Sequence, residues 1–232
     1  MPVKLLPRVI RNTLEGRFLS LLAAILVYLA IGPVLDKTKE FKFFLDIFFS
    51  IILLAGIFAV SQKKRSTIIA FTFAIPSLVT VWLRELTGGI ALEITSSVLT
   101  TLFFGYAVIV LLAFILNSTR VTHNVIYAAL IGYLIMGLMW ASIYSLIDTI
   151  TPGSFKALQS SIDNPRLIYL YFSYVTLTTL GYGDISPLTA PAYSFSILEA
   201  IIGQIYLTVL IARLVAMHIT HSDRGSRNGL DR

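Results

Sequence analysis

Thr179-Leu180-Gly181-Tyr182-Gly183-Asp184 places two glycines, a tyrosine and an acid between two long apolar stretches. Glycine supplies no side chain and costs the most backbone entropy to order, so a Gly-Tyr-Gly run gives the chemical task to the backbone itself. The chemistry open to a bare backbone is coordination by carbonyl oxygens. Those of Thr179, Leu180, Gly181 and Tyr182 can share one axis if alternate residues take unusual dihedrals, which Gly181 and Gly183 allow cheaply. A ring of such oxygens replaces the water shell of a dehydrated cation, so the ion is cargo and no cofactor is expected. The chain has no cysteine, which excludes disulfides, thiolate metal sites and cysteine nucleophiles.

The elements around this run must hold it in place, and composition says where. The chain is 56% hydrophobic and 13% charged, against roughly a quarter charged in a soluble domain. It reads as an integral membrane protein with the lipid bilayer as its main partner. The net charge of +6 fits a positive cytoplasmic rim better than a nucleic-acid partner. Six apolar segments follow: Phe18–Leu35, Phe43–Val60, Thr67–Leu83, Thr95–Leu116, Val125–Ile147 and Tyr193–His218. Each is long enough to cross a hydrocarbon core of ~30 Å as a helix. The first carries no small-residue cleavage site and reads as a retained helix, not a signal peptide.

Loop charges orient the spans. The N-terminus, residues 61–66, 117–124 and 219–232 hold eleven Lys/Arg against three acids. The opposite side holds six against seven. Both termini are therefore expected in the cytoplasm, with the plasma membrane (the inner membrane of a bacterium) as the location.

The connection from Ile147 to Tyr193 exceeds forty residues and faces outward. Within it, Asp163-Asn164-Pro165 reads as a helix start, a side-chain cap followed by proline in the first turn. The helix predicted over Pro165–Thr178 is about 21 Å long, too short to cross the membrane. It must enter part way, with the chain coming back as extended backbone. Non-helical backbone at that depth is tolerated only where it is buried in protein or lines a water-filled path. The helix C-terminus, aimed at the same axis, favours a cation. A second stretch, Leu99 to Tyr106 ("LTTLFFGY"), echoes the run but lacks its paired glycines and reads as helix packing.

Thr179 to Asp184 resembles the selectivity filter of potassium channels, Thr-Val-Gly-Tyr-Gly-Asp, and the likeness extends over residues 124–218. It implies an all-α membrane fold of six transmembrane helices with a re-entrant pore helix and filter between the fifth and sixth. It also implies a homotetramer that passes K+ along the backbone of Thr179, Leu180, Gly181, Tyr182 and Gly183. By the same resemblance Phe172 stands as an aromatic cuff beside the filter tyrosine, and Thr176 could bond the Tyr182 hydroxyl. Tyr171 stands where many members have a tryptophan bonded to the filter acid, making Tyr171 and Asp184 a substitute pair; ordinary packing is the alternative for Tyr171 and Phe172. Leu180 replaces the usual valine, and Val175 stands where some members carry a buried glutamate. Gly203 falls at the inner-helix hinge, with close packing as its alternative. Leu207, Ile211 and Val215 form one face that would line the cavity and gate.

The domain boundaries that follow are a cytoplasmic segment over 1–17, a four-helix region over 18–123, a pore domain over 124–218 and a disordered tail over 219–232. The fourth span lacks the arginine repeat of a voltage sensor, since no Lys or Arg lies between Arg84 and Arg120. Asp46, near the outer end of the second span, reads as a snorkelling residue. Glu199, an acid inside the last span, either tunes the pore or pairs with the pore-helix region. Lys4, Arg8 and Arg11 would meet anionic lipid as an interfacial helix. An intramembrane enzyme is discounted because His123, His218 and His221 have no acidic companions in register. A six-helix transporter would show internal repeats and a second broken helix. The competing reading is a poorly selective or non-conducting modulatory subunit, which Leu180 keeps open.

Overall fold

Helices occupy all six apolar segments. The computed structural model describes residues 8–35, 39–60, 64–157 and 164–230. In order, α1 is Arg8–Leu35, α2 Lys39–Val60, α3 Lys64–Thr87, α4 Ile90–Asn117 and α5 His123–Ile150. After β1 (Phe155–Ala157) come the short α6 (Pro165–Leu177), β2 (Ile185–Pro187) and the long α7 (Ala190–Leu230). Four helices are long and apolar enough to cross a membrane: Lys64–Arg84, Ile90–Asn117, His123–Ile150 and Ala190–Met217. Shorter apolar stretches, Phe18–Val34 and Phe43–Ala59, lie in α1 and α2. The chain is an all-helical membrane protein apart from one small ribbon, and Lys4 of the basic N-terminus lies outside the described residues.

Local sequence explains the starts and stops. Thr122 caps α5 by accepting from Val125 N, and Asn164 caps α6 by accepting from Arg166 N at 3.1 Å. Pro165 then occupies the first turn of α6, where a missing N–H costs nothing. Hydroxyls inside the apolar helices turn back on their own backbone, as Ser50 does to Asp46 O (2.7 Å) and Thr95 to Ala91 O (2.7 Å). This satisfies a polar group that lipid could not.

Successive helices from α1 to α5 pack on one another, and α1 returns against α5. The core runs through Leu21, Ile52, Phe103, Phe104, Leu111, Ile131 and Ile135, all essentially buried. The outward faces of the helices are themselves apolar, with Phe58, Ile68, Ile109 and Ile197 all exposed. That is the surface of a protein whose surroundings are not water.

The backbone of α7 runs on to Leu230, through most of the segment that composition suggested would be an unstructured tail. Extending an established helix adds one hydrogen bond per residue fixed and avoids the cost of nucleation, so polar residues can follow where an apolar helix leads. β1 and β2 pair antiparallel, Phe155 with Pro187 and Ala157 with Ile185. This ribbon, which periodicity did not reveal, pins the chain leaving residue 184 to the loop after α5.

Candidate functional site

Between α6 and β2 the backbone changes hand residue by residue. Thr179, Gly181 and Gly183 have φ of 59°, 58° and 76°, whereas Leu180 and Tyr182 do not enter the positive region. A threonine there is a genuine outlier, because a β-branched side chain clashes with its own backbone at positive φ. Such strain, on the order of 1–3 kcal/mol, persists only where surrounding contacts over-determine it.

Those contacts come from the end of α6. Thr179 N donates to Thr176 O (3.0 Å), and Leu180 N and Gly181 N both donate to Val175 O (2.9 and 3.3 Å). The Thr179 hydroxyl donates to Thr178 O (2.6 Å). Leu180 and Tyr182 are 56% and 67% exposed in the single chain. The strained run thus stands at the surface of the chain.

α5 holds α6 with three hydroxyl contacts along its length. Tyr133 donates to Leu177 O (3.1 Å), Tyr174 donates to Leu134 O (2.6 Å), and Ser173 Oγ lies 2.8 Å from Gly137 O. Gly137 makes the approach possible: a Cβ there would lie 2.6 Å from the Tyr174 ring. From the other side, a Cβ on Gly203 of α7 would meet Leu177 Cδ1 at 2.7 Å and Leu177 O at 3.0 Å. The structure therefore gives Gly203 close packing against the last turn of α6, and α7 passes through it as continuous helix.

Tyr171 and Asp184 meet: the tyrosine hydroxyl donates to Asp184 Oδ2 at 2.7 Å. Asp184 Oδ1 also accepts from Ile185 N (3.0 Å), so the acid ties the start of the ribbon to α6. Within the single chain the two neighbouring residues make other contacts. Phe172 does not stand beside Tyr182; it is buried edge-on to Tyr144 and Phe155, at ring distances of 5.0 and 5.2 Å. It points back into the protomer, where apolar burial is available. Thr176 makes no hydrogen bond to Tyr182; its carbonyl holds Thr179 N instead. On α7, Ile211 and Val215 are exposed, while Leu207 is half-buried against the core.

Several residues that support this site were not singled out from sequence. Asp148, at the end of α5, accepts from the Tyr169 hydroxyl (2.6 Å) and from Ser154 N (2.8 Å), fixing the loop that leads into β1. Ser154 O accepts from Leu188 N (2.8 Å) just beyond β2. Asp46 is not a snorkelling residue. It is buried and accepts from Arg166 Nη1 at 2.5 Å, because the first turn of α6 brings the guanidinium to it. An acid well inside an apolar span was the available signal. At the other end, Arg213 Nη2 of α7 donates to Leu116 O and Ser118 O (2.8 and 2.9 Å), a cation on the C-terminus of α4. Among the described residues, no group of three or more His, Cys, Asp or Glu could hold a metal ion.

Residues 121–219 match the family described as ion channel, a span covering α5, α6, the strained run and the body of α7. The rice (Oryza sativa subsp. japonica) protein "Two pore potassium channel c" is 37% identical over 87 residues. That stretch is 38% of this chain and only 17% of the rice protein. Protein LctB of Bacillus caldotenax is 30% identical over 100 residues, 41% of this chain and 74% of that protein. The strained Gly-Tyr-Gly backbone and its support by α5 and α7 lie inside the matched region, and the chain belongs to the potassium channel family of ion channels.

Proposed function

We propose that four copies of this chain surround a pore that conducts K+ selectively and passively, with Thr179 to Gly183 as its filter. The observation that carries this is the left-handed backbone at Thr179, Gly181 and Gly183. In an extended strand successive carbonyls face opposite ways. Inverting every second residue turns the carbonyls of Thr179, Leu180, Gly181 and Tyr182 to one side, where they replace an ion's hydration shell. One chain supplies one such strand, and a closed ring of oxygens takes four. The exposure of Leu180 and Tyr182 in the single chain is what a strand completed by neighbouring copies would show.

In this arrangement all six long helices cross the bilayer, α6 enters from the outside and returns as the filter, and both termini lie in the cytoplasm of a plasma or bacterial inner membrane. Leu207, Ile211 and Val215 line the lower cavity, and basic residues near the N-terminus sit on anionic lipid. Gating is not steeply voltage-dependent, because no arginine repeat exists to move through the field.

The test is ion flux from proteoliposomes holding purified protein, paired with native mass spectrometry in mild detergent. The proposal expects a tetramer and a K+ flux well above the Na+ flux. A monomer or dimer, equal fluxes, or no flux at all would refute it, the last two in favour of an unselective or modulatory subunit.

A further inference from the structure

Glu199 on α7 is completely buried and sits where three helices meet. Tyr144 of α5 donates its hydroxyl to Glu199 Oε2. Ser173 of α6 lies with its Oγ 2.6 Å from Glu199 Oε1 and 2.8 Å from Gly137 O of α5. A serine hydroxyl brings one hydrogen and can otherwise only accept. An ionised carboxylate and a backbone carbonyl both accept only. The two contacts of Ser173 can therefore both be hydrogen bonds only if one partner brings a hydrogen of its own. A carbonyl has none, so the hydrogen belongs to Glu199. The chain of donors then runs from Glu199 Oε1–H to Ser173 Oγ–H to Gly137 O, with Tyr144 donating into Oε2.

The surroundings agree. The titratable groups facing Glu199 are Tyr133 and Tyr144 from α5 and Tyr174 from α6, all neutral phenols. From α7 itself Ser196 comes near, against the Tyr144 hydroxyl. Among the described residues Glu199 makes no ion pair; Arg166, on the same helix as Ser173, belongs to Asp46. An ionised carboxylate buried without a cation is far costlier than a neutral acid with satisfied hydrogen bonds.

We propose that Glu199 is a positioning residue that works in its protonated form, clamping the pore helix α6 between α5 and α7 behind the filter. Ser173 lies six residues before Thr179, so the clamp holds the helix whose last turn supplies the hydrogen bonds to the strained backbone. Loss of the proton forces Ser173 to turn its hydrogen toward the carboxylate and release Gly137 O. Conduction then falls as pH rises through the titration of Glu199. The inference rests on the conducting pore proposed above, and its test has one readout that does not.

Glu199→Gln replaces the acid hydroxyl by an amide N–H that donates to Ser173 and keeps an oxygen for Tyr144. Infrared spectra of the bilayer-reconstituted protein should show a protonated carboxylic-acid stretch at neutral pH. It should vanish in Glu199→Gln and shift in Ser173→Ala, which assigns the band even if the glutamine variant fails to assemble. In K+ flux, Glu199→Gln should stay within about twofold of wild type and lose the decline at alkaline pH. Glu199→Ala should fall by about tenfold or more, the scale of one orphaned buried hydrogen bond. No protonated band at neutral pH, or a glutamine variant that assembles as well as wild type but conducts no better than alanine, overturns the proposal. If wild type itself carries no K+, the pore reading fails while the infrared band still decides the state of Glu199.

Discussion

Arg166, in the first turn of α6, donates from Nη1 to Asp46 Oδ1 of α2 at 2.5 Å across 120 residues of sequence. The acid side chain is 6% exposed and the guanidinium 25%. A carboxylate at that depth is tolerated because it is paired, and the pairing joins α2 to the helix that leads into the strained run. Leu167, the next residue, packs toward Gly32 of α1, where an added Cβ would lie 3.3 Å from Leu167 Cδ2. α1 and α2 thus both meet the first turn of α6, which ties them mechanically to the helix that carries the strained run.

Removing one partner of this pair should cost more than removing both. Asp46→Asn removes the charge of the carboxylate that Arg166 meets, a loss that approaches ~3–5 kcal/mol for fully buried pairs and is smaller here because Arg166 is partly exposed. A double-mutant cycle with Arg166→Gln, read by thermal unfolding in detergent, should give a coupling energy above about 1 kcal/mol. Additive effects would mean the contact carries no stability.

Tyr171 and Asp184 predict a defect of a different kind. Tyr171→Phe removes a donor worth about 1 kcal/mol and frees the chain just after the filter, while leaving the fold intact. Steady K+ current should decay faster than in wild type when external K+ is low. Tyr171→Trp, whose indole N–H can also donate, should restore much of the lost stability. A phenylalanine variant with unchanged decay would show that the bond does not hold the filter.

Gly203 separates packing from hinging. Alanine adds a Cβ 3.0 Å from the Leu177 carbonyl, which cannot rotate away as a side chain could. Glycine-to-alanine inside a helix otherwise raises helix stability by roughly 0.5–1 kcal/mol. Overpacking typically costs ~1–3 kcal/mol, so Gly203→Ala should lower the unfolding temperature. A variant that melts higher but fails to open would restore the hinge.

Voltage should matter little. Moving one charge through the membrane field is worth about 2.3 kcal/mol per 100 mV, and steep gating uses three or four charges per subunit. α4 carries no Lys or Arg, its acid Glu93 sits in the first turn, and Asp46 is tied to α6. Single-channel recording in symmetric K+ from about −100 to +100 mV should give a small gating charge. A value above ~8 per channel, approaching that of true sensors, would contradict this.

What the sequence disclosed and what it hid have physical causes. Hydropathy over whole spans located every long helix, because a helix in lipid must be apolar along its full length. Asn164-Pro165 marked the start of α6 because capping is local chemistry. The positive φ of Gly181 and Gly183 was foreseeable, since paired glycines are the cheap way to achieve it, whereas that of Thr179 was not. The contacts that Phe172 and Thr176 make within the chain were not legible, because the direction a side chain faces depends on how α6 rotates against α5, which spacing alone does not encode. The partner of Asp46 stayed hidden for a related reason, and for Glu199 only the pore-helix region, not Ser173 itself, was legible. An acid in a span announces a need for a partner, but Arg166 and Ser173 lie on an element whose docking is a tertiary fact. The ribbon of Phe155–Ala157 with Ile185–Pro187 is three residues a side, too short for alternation to show.

The reversal potential under bi-ionic conditions, K+ on one side of a planar bilayer and Na+ on the other, tests the central claim most directly. A carbonyl-lined filter at Thr179 to Gly183 predicts a reversal displaced by more than about 59 mV toward the K+ equilibrium potential, a preference above tenfold. It further predicts that Gly181→Val, which forces a β-branched side chain to a φ of 58°, abolishes the selective current. A reversal near zero in wild type, or selective K+ current surviving in Gly181→Val, would contradict the account.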